Sequence, residues 1–105
     1  MEQYVAYHNR GTGKAVYPFF IAMQHPVANV LKHVLVISVI ELARLNAASP
    51  PAKICPIVTI LGQQYIAMTH MMAGLPVKEV GDAVADLSLY RPVLRDAVEF
   101  LLNGY

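Results

Sequence analysis

The chain has 105 residues, of which 56% are hydrophobic and 14% charged, and its formal net charge is +1 at pH 7. This near-neutral balance excludes the strong basic field through which proteins hold nucleic-acid phosphates. The length fits one domain over residues 1–105, and the apolar surplus predicts that part of the surface is buried against a second copy or a partner.

The N-terminal third predicts a β-hairpin and then a segment without a clear pattern. Residues 3–8 alternate loosely and include two tyrosines, which is typical of a strand. The polar residues 9–14, with two glycines, predict a hairpin loop. Residues 15–23 predict the returning strand, in which Pro18 favours an edge position or a bulge because proline has no N–H to donate. Residues 24–32 are ambiguous, and their proline and asparagine favour an irregular connection.

The clearest strand lies near the middle of the chain, at residues 33–40. β-Branched residues are dense there, and apolar side chains at odd and even positions predict burial on both faces of a sheet. Residues 41–46 favour a short helix. Residues 54–60 and 64–68 predict the two strands of a second hairpin, with its turn at residues 61–63.

Residues 93–102 predict the best-defined helix of the chain. Pro92 stands in the first turn, where a missing N–H costs least, and Gly104 is placed to end the helix. Phe100 and Leu102 fall outside the main apolar stripe, so the helix is apolar on more than one side, as expected of a helix in an interface. The stripe recurs every three or four residues and consists of Val93, Leu94, Ala97, Val98 and Leu101.

Together these elements predict a mainly β fold. Residues 75–80 are expected to begin as extended chain, because the residue before Pro76 is pushed away from helix. The pattern amounts to about five antiparallel strands in hairpins, followed by one helix. We therefore expect a small antiparallel barrel or sheet with an appended C-terminal helix.

A membrane-spanning segment is not expected. A spanning helix needs about 20 consecutive apolar residues, and the longest apolar stretch, residues 15–31, is interrupted by prolines and polar residues. Acidic Glu2 near the start does not fit the basic and then apolar pattern of a secretion signal. We therefore expect a cytoplasmic protein without a membrane partner.

No set of side chains predicts a metal or cofactor site. Cys55 has no second cysteine for a disulfide and lies in an apolar run, so we expect it to be buried as a small hydrophobic residue. Gly11 and Gly13 lack the third glycine of a dinucleotide-binding turn. The four histidines, which lack the spacing of zinc ligands, are His8, His25, His33 and His70.

The acid–base groups predict no catalytic site either. Asp82 and Asp86 are four residues apart and suit one helical face, and we interpret them as two solvated acids. His8 with Arg10 is the one pair that suggests an RNA-cleaving site. The sequence therefore predicts no catalytic residue, no metal and no cofactor, and a protein that is not an enzyme.

Several stretches, taken in order, resemble one known family. The strongest is LPVKEVGDAVADLS at residues 75–88, which looks like a Val-Pro-Val segment followed by Val-Ala-Asp-Leu-Ser. A terminal helix follows, and then a chain end of the form x-Gly-hydrophobic at residues 103–105. Upstream, CPIVTI at residues 55–60 and YPFF at residues 17–20 match as well. In this order and spacing the motifs resemble the CcdB family over nearly the whole chain.

The resemblance implies both a fold and a function. CcdB-like proteins form a small SH3-like barrel of about five antiparallel strands with a C-terminal helix, a fold similar to that of the Kid and MazF toxins, and they act as homodimers. They are toxins of type II toxin–antitoxin systems associated with plasmid maintenance. The toxin binds the A subunit of DNA gyrase, a type II topoisomerase, and traps the enzyme with its DNA broken.

The resemblance also implies how the toxin is controlled. A CcdA-like antitoxin pulls the toxin off gyrase through a disordered segment that folds on binding. The toxin–antitoxin complex binds operator DNA and represses its own operon. In that arrangement the antitoxin contacts the operator, which agrees with the net charge of +1 on this chain.

Two patches match the gyrase-binding segments of the family. Asn103 stands where the best-known member has a tryptophan, so this chain lacks an aromatic anchor of the kind that dominates binding energies. Acidic residues that the family carries near Ala22 and Pro26 are absent as well. The resemblance implies a first patch made of Glu99, Leu102, Asn103, Gly104 and Tyr105, and a second patch made of Val27 and Ala28.

Two alternatives stay open at this point. One is an endoribonuclease toxin like Kid and MazF, for which His8 and Arg10 are the suggestive groups. The other is a degenerate, non-toxic member of the family that is retained for antitoxin binding, which the departures at Ala22, Pro26 and Asn103 favour.

Overall fold

Antiparallel strands make up most of the structure, a computed structural model that describes residues 1–25, 30–45 and 50–104. Three short 3₁₀ turns, at Thr69–Met71, Val77–Glu79 and Ser88–Tyr90, connect the later elements. The strands are β1 (Val5–Asn9), β2 (Phe19–Ala22), β3 (His33–Glu41), β4 (Ile57–Ile60), β5 (Gln63–Ala67), β6 (Ala73–Pro76) and β7 (Val80–Asp86), and the helices are α1 (Leu42–Leu45) and α2 (Arg91–Asn103).

The long strand β3 organises the sheet. The strands lie in the order β4-β5-β3-β2-β1-β7 across the sheet, and every pairing is antiparallel. Along one side of β3, Val39 pairs with Ala67 of β5, whereas Val34 pairs with Leu75 of β6. One strand thus holds two short partners end to end, which bends the sheet into a half-barrel.

Both faces of β3 are buried, as its sequence predicts. Ile37 and Val39 belong to the main core inside the curl, whereas Val34 and Val36 belong to a smaller cluster on the outer face. α2 covers the open side of the curl with Leu94, so one apolar core joins sheet and helix. That core consists of Tyr4, Ala6, Phe19, Ile21, Ile37, Val39, Val58, Ile60, Tyr65, Ala67, Leu87 and Leu94.

The outer strands β4 and β7 are not paired with each other among the described elements. Tyr90, which stands between β7 and α2, reaches across this gap, and its hydroxyl accepts the backbone N–H of Thr59 at 3.1 Å. The ammonium of Lys53, in the loop before β4, lies 4.6 Å from the centre of the Phe100 ring of α2, a cation–π contact. The Tyr90 side chain therefore bridges the seam that backbone ladders leave open.

A tight two-residue turn joins β4 and β5. Leu61 and Gly62 both have positive φ, at 52° and 81°, and Ile60 pairs with Gln63. Two consecutive residues with positive φ form the type I′ turn that matches the twist of a hairpin. The prediction of a turn at 61–63 is therefore correct except that Gln63 already belongs to β5.

The predicted fold class, mainly β with a C-terminal helix, is confirmed, but the strands number seven in the described residues and not about five.

Two local predictions from the sequence are wrong. Asp82 and Asp86 lie on strand β7 and not on a shared helical face, although both are exposed, as expected of solvated acids. Pro18 precedes β2, which is paired on both sides, so the expected edge strand is wrong too. Outside the strand, its missing N–H removes no ladder hydrogen bond.

Candidate interaction surface at the C-terminal helix

The boundaries of α2 follow from its terminal residues. Pro92 lies in the first turn, and no side chain caps the N-terminus at Tyr90. At the other end Gly104 adopts a left-handed conformation with φ 80°, and its N–H donates to the Phe100 carbonyl at 2.7 Å. Glycine reaches this conformation without the strain that a Cβ would bring. The predicted role of Gly104 as the helix stop is confirmed.

The sheet buries the middle of α2 and leaves its end open. Leu94 and Ala97 are completely buried, and Val98 packs partly against the main core. Val93 and Leu101, which the periodicity places on the same stripe, are 46% and 40% exposed. The apolar stripe that the periodicity predicts is therefore buried at Leu94 and Ala97 but open to solvent at Val93 and Leu101.

The last turn of α2 exposes apolar side chains to solvent. Leu102 is 75% exposed beside the half-exposed Leu101. Glu99 and Asn103 on the same turns are exposed as well, and so is Gly104. We call this set of five residues the helix-end surface. The first predicted patch is thus brought together as far as Gly104, whereas Tyr105, Val27 and Ala28 lie outside the described residues.

Two grooves run along the side of α2 and share Met72 and Val98. One has a volume of about 230 Å³ and reaches the sheet; it is lined by Tyr4, Met23, Leu35, Met72, Arg95, Val98 and Glu99. The other, of about 250 Å³, leads to the helix-end surface and is lined by Thr69, His70, Met72, Val98, Leu101 and Leu102.

Met72 and His70 are the residues that sequence reasoning missed. Met68, Met71 and Met72 suggest core filler, and Met72 does pack against the main core, but it also lines both grooves. An unbranched thioether adapts to irregular surfaces of this kind. The cluster of methionines is visible in the sequence, but the sequence does not show that the fold places it beside α2.

Tyr4 holds the start of α2 against the sheet. Its N–H donates to the Ala22 carbonyl at 2.6 Å, and its own carbonyl accepts the N–H of Leu87 at 2.8 Å. The guanidinium of Arg91 lies 5.8 Å from the centre of the Tyr4 ring. Tyr4 has a φ of 63°, a strained value for a residue with a Cβ, which persists only where its surroundings enforce it. Nothing in the local sequence predicts this.

The thiol of Cys55 has a polar neighbour. Cys55 is 2% exposed, which confirms the expectation of a buried small residue, and its Sγ lies 3.4 Å from Nδ1 of His70.

In the part of the chain that the structure describes, no three histidine, cysteine or acidic side chains are grouped so that they could hold a metal ion. None of the described helices has the length and apolar character needed to span a bilayer.

His8 and Arg10, the pair that suggests RNA cleavage, are exposed on either side of the buried Asn9, the last residue of β1. Both side chains lie against Gly81 of β7, where a Cβ would come within 2.9 Å of Arg10 and 3.1 Å of His8. The N–H of Arg10 donates to the Glu79 carbonyl at 2.9 Å. The fold therefore brings Glu79 toward the pair through the backbone, while the Glu79 carboxylate turns toward Gly11.

The small curled sheet carries a C-terminal helix whose last turn exposes Leu101 and Leu102, and exposed apolar groups of this kind are typical of protein interaction surfaces. The sequence model of the CcdB protein family matches residues 3–104. Since this match spans nearly all of the 105 residues, the chain belongs to the CcdB family, a family of toxins from toxin–antitoxin pairs and not a family of catalytic enzymes. No curated protein sequence matches the chain.

Proposed function

We propose that this toxin binds the A subunit of DNA gyrase through the helix-end surface and traps gyrase on cleaved DNA. The observation that carries the proposal is the exposure of Leu101 and Leu102 at the end of α2 in a member of the CcdB family. Burying one leucine side chain is worth about 1.5–3 kcal/mol, so two exposed at one helix end favour a partner surface.

Trapping by binding needs no catalytic residue in the toxin. A ligand that binds one state of an enzyme more tightly than the other states shifts the population toward that state. Each tenfold preference for cleaved over resealed gyrase corresponds to about 1.4 kcal/mol. We therefore assign Glu99, Leu102, Asn103, Gly104 and Tyr105 to gyrase contact, with Val27 and Ala28 as a second contact.

The toxin acts as a homodimer in this proposal. A twofold dimer presents two copies of the helix-end surface, and the two A subunits of gyrase offer two copies of the receptor. Two linked contacts bind more tightly than one because the second forms at a high effective concentration. Asn103 in place of an aromatic anchor makes this gain more important here.

The antitoxin completes the proposed function. A CcdA-like antitoxin removes the toxin from gyrase in the cytoplasm, and the complex of the two represses their operon. The antitoxin supplies the operator contact, because a net charge of +1 gives this chain little overall attraction to DNA phosphates.

The proposal is tested with purified toxin, gyrase, supercoiled plasmid and ATP. Linear DNA should accumulate after detergent and protease treatment, which releases the trapped breaks. Leu102→Ser should abolish this product, because it removes the most exposed apolar group of the helix-end surface. Leu61→Ser is the matched control: Leu61 is 71% exposed, close to the 75% of Leu102, but it lies in the turn between β4 and β5.

Two outcomes would count against the proposal. The first is the absence of both cleaved DNA and gyrase binding with the wild-type toxin and its cognate gyrase. The second is an equal loss of activity in Leu102→Ser and Leu61→Ser, since this would remove the helix-end surface from the mechanism.

An endoribonuclease is the second candidate, favoured by the placement of His8 and Arg10 together against Gly81. A histidine can move a proton and an arginine can stabilise the charge on a phosphate. Messenger RNA incubated with the protein would be cut, and His8→Ala or Arg10→Ala would abolish cutting. Both side chains are exposed, so neither change should unfold the protein. RNA left intact by the wild type eliminates this candidate.

A further inference from the structure

A second concave surface lies at the far end of β3, where the strand begins beside the end of β6. We call it the basic groove. His33 pairs with Pro76 there, and the N–H of Val77 donates to the Lys32 carbonyl at 3.0 Å, so backbone pairing holds both walls. The groove has a volume of about 580 Å³ and is lined by Leu31, Lys32, His33, Pro76, Val77 and Lys78.

Apolar side chains form much of the basic groove. Leu31 is 55% exposed and Val77 is 40% exposed, although both are large hydrophobic residues. The same two residues also line a small adjoining pit of about 50 Å³, together with Met1, Gln24, His33 and Val34. An exposed apolar surface rimmed by polar groups is typical of a binding site, and the pit offers a place for one apolar side chain.

The charges at the basic groove are of one sign. Lys32, just before β3, and Lys78, after β6, both line it together with His33, and the described lining residues include no carboxylate. Glu79 follows Lys78 directly, but its carboxylate oxygen points to the loop after β1, within 2.9 Å of the position of a Cβ on Gly11. Positive charges without a local counter-charge attract an acidic ligand over roughly 10 Å at moderate salt.

We propose that the basic groove binds an extended peptide segment of a partner in which acidic and apolar side chains alternate. Acidic groups on such a segment match Lys32 and Lys78, and its apolar groups match Leu31 and Val77. A nucleic acid matches the lysines but leaves the apolar lining without a counterpart, and the net charge of +1 gives it little further attraction.

The basic groove is separate from the two grooves beside α2. No described residue lines both the basic groove, including its pit, and the two grooves beside α2. The peptide partner can therefore bind without occupying the helix-end surface. The proposal does not depend on gyrase being the partner of α2.

Fluorescence anisotropy tests the proposal with four labelled probes. The first is a short peptide in which Glu alternates with Leu. In the second Lys replaces Glu, in the third Ser replaces Leu, and the fourth is single-stranded DNA of similar length. The toxin should bind the first probe, more tightly at low salt than at high salt, and bind the other three at least roughly tenfold more weakly.

Two variants of equal charge change locate the binding site. Lys32→Gln combined with Lys78→Gln lowers the net charge by 2 and should weaken binding of the Glu-Leu peptide roughly tenfold. Lys14→Glu lowers the net charge by the same amount in the loop between β1 and β2 and should change binding less than about twofold. All three lysines are exposed, so the variants should unfold like the wild type.

The proposal is overturned if the Glu-Leu and Glu-Ser peptides bind equally, since the apolar lining then has no role. It is also overturned if Lys14→Glu weakens binding as much as the double variant does. Tight binding of DNA that the double variant abolishes would make the basic groove a nucleic-acid surface instead. Unchanged cleavage of DNA by gyrase with the double variant would show that the two surfaces act separately.

Discussion

The middle and the last turn of α2 both carry leucine, but the two leucines differ in their exposure to solvent. Leu94 is completely buried beneath the helix, whereas Leu102, two turns later, is 75% exposed. The first leucine joins the helix to the core, whereas the described residues leave most of the second uncovered. One helix therefore contributes to stability in its middle turns and to recognition in its last turn, and mutations should separate the two roles.

The largest expected effect is on the buried side of this comparison. Leu94→Ala removes a fully buried side chain from the main core and should lower the free energy of unfolding by about 2–5 kcal/mol. Urea titration followed by circular dichroism measures the change. A loss below about 0.5 kcal/mol would mean that α2 is not anchored through Leu94.

A smaller effect is expected at the boundary between the two regions. Gly104→Ala places a Cβ on a residue with φ 80° and should cost about 1–2 kcal/mol, or fray the last turn. A Cβ there meets nothing within 4 Å, so the cost is conformational and not steric. Gly104→Asn is the control, because asparagine tolerates this conformation better than alanine does. Equal unfolding midpoints for both variants would contradict a role for the left-handed conformation.

On the exposed side, stability should barely respond. Leu102→Ser is expected to change the free energy of unfolding by less than about 0.5 kcal/mol, although it removes an apolar group from the helix-end surface. The same urea titration measures it, alongside the gyrase assay. A large loss of stability would mean that Leu102 packs in the core, and it would contradict the separation of stability in the middle of α2 from recognition at its end.

The smallest effect at neutral pH is expected at Tyr65, which lies in the core beneath α2. Burial, and secondarily the Glu41 carboxylate, raises the pKa of Tyr65 above its ordinary value of 10.0. The folded state therefore keeps the phenol proton more tightly than the unfolded state does, and stability is present below pH 10 and lost as the pH rises further. Tyr65→Phe should unfold like the wild type at pH 7 and lose less stability than the wild type above pH 10. Parallel loss in both proteins would contradict this assignment.

The sequence predicts the parts of the fold that depend on local pattern. Apolar side chains at odd and even positions of β3 predict burial on both faces of the strand. Apolar residues that recur every three or four positions around Leu94 predict α2, and Gly104 predicts its end. β7 escapes detection because Gly81, Ala83 and Ala85 have weak strand preference, and because it is an edge strand with little to bury. These residues become a strand only through pairing with β1.

The candidate site is predictable from sequence only along α2. Periodicity and family resemblance identify the helix end, but periodicity alone does not separate the buried Leu94 from the partly exposed Leu101 on the same stripe. Met72 and His70 come beside the helix from about thirty positions earlier in the chain, and Lys32 meets Lys78 across two strands. The fold topology brings these residues together from different segments, so the spacing of residues within one segment cannot predict their grouping.

The bridge from Tyr90 to Thr59 has a consequence for behaviour at high concentration. β4 is the outermost strand of the sheet, and the backbone N–H of such a strand is a template for pairing with another molecule. In this protein the Thr59 N–H is already engaged by the Tyr90 hydroxyl, and the strand is only four residues long. The tyrosine that bridges the seam thus also protects the toxin from edge-to-edge aggregation.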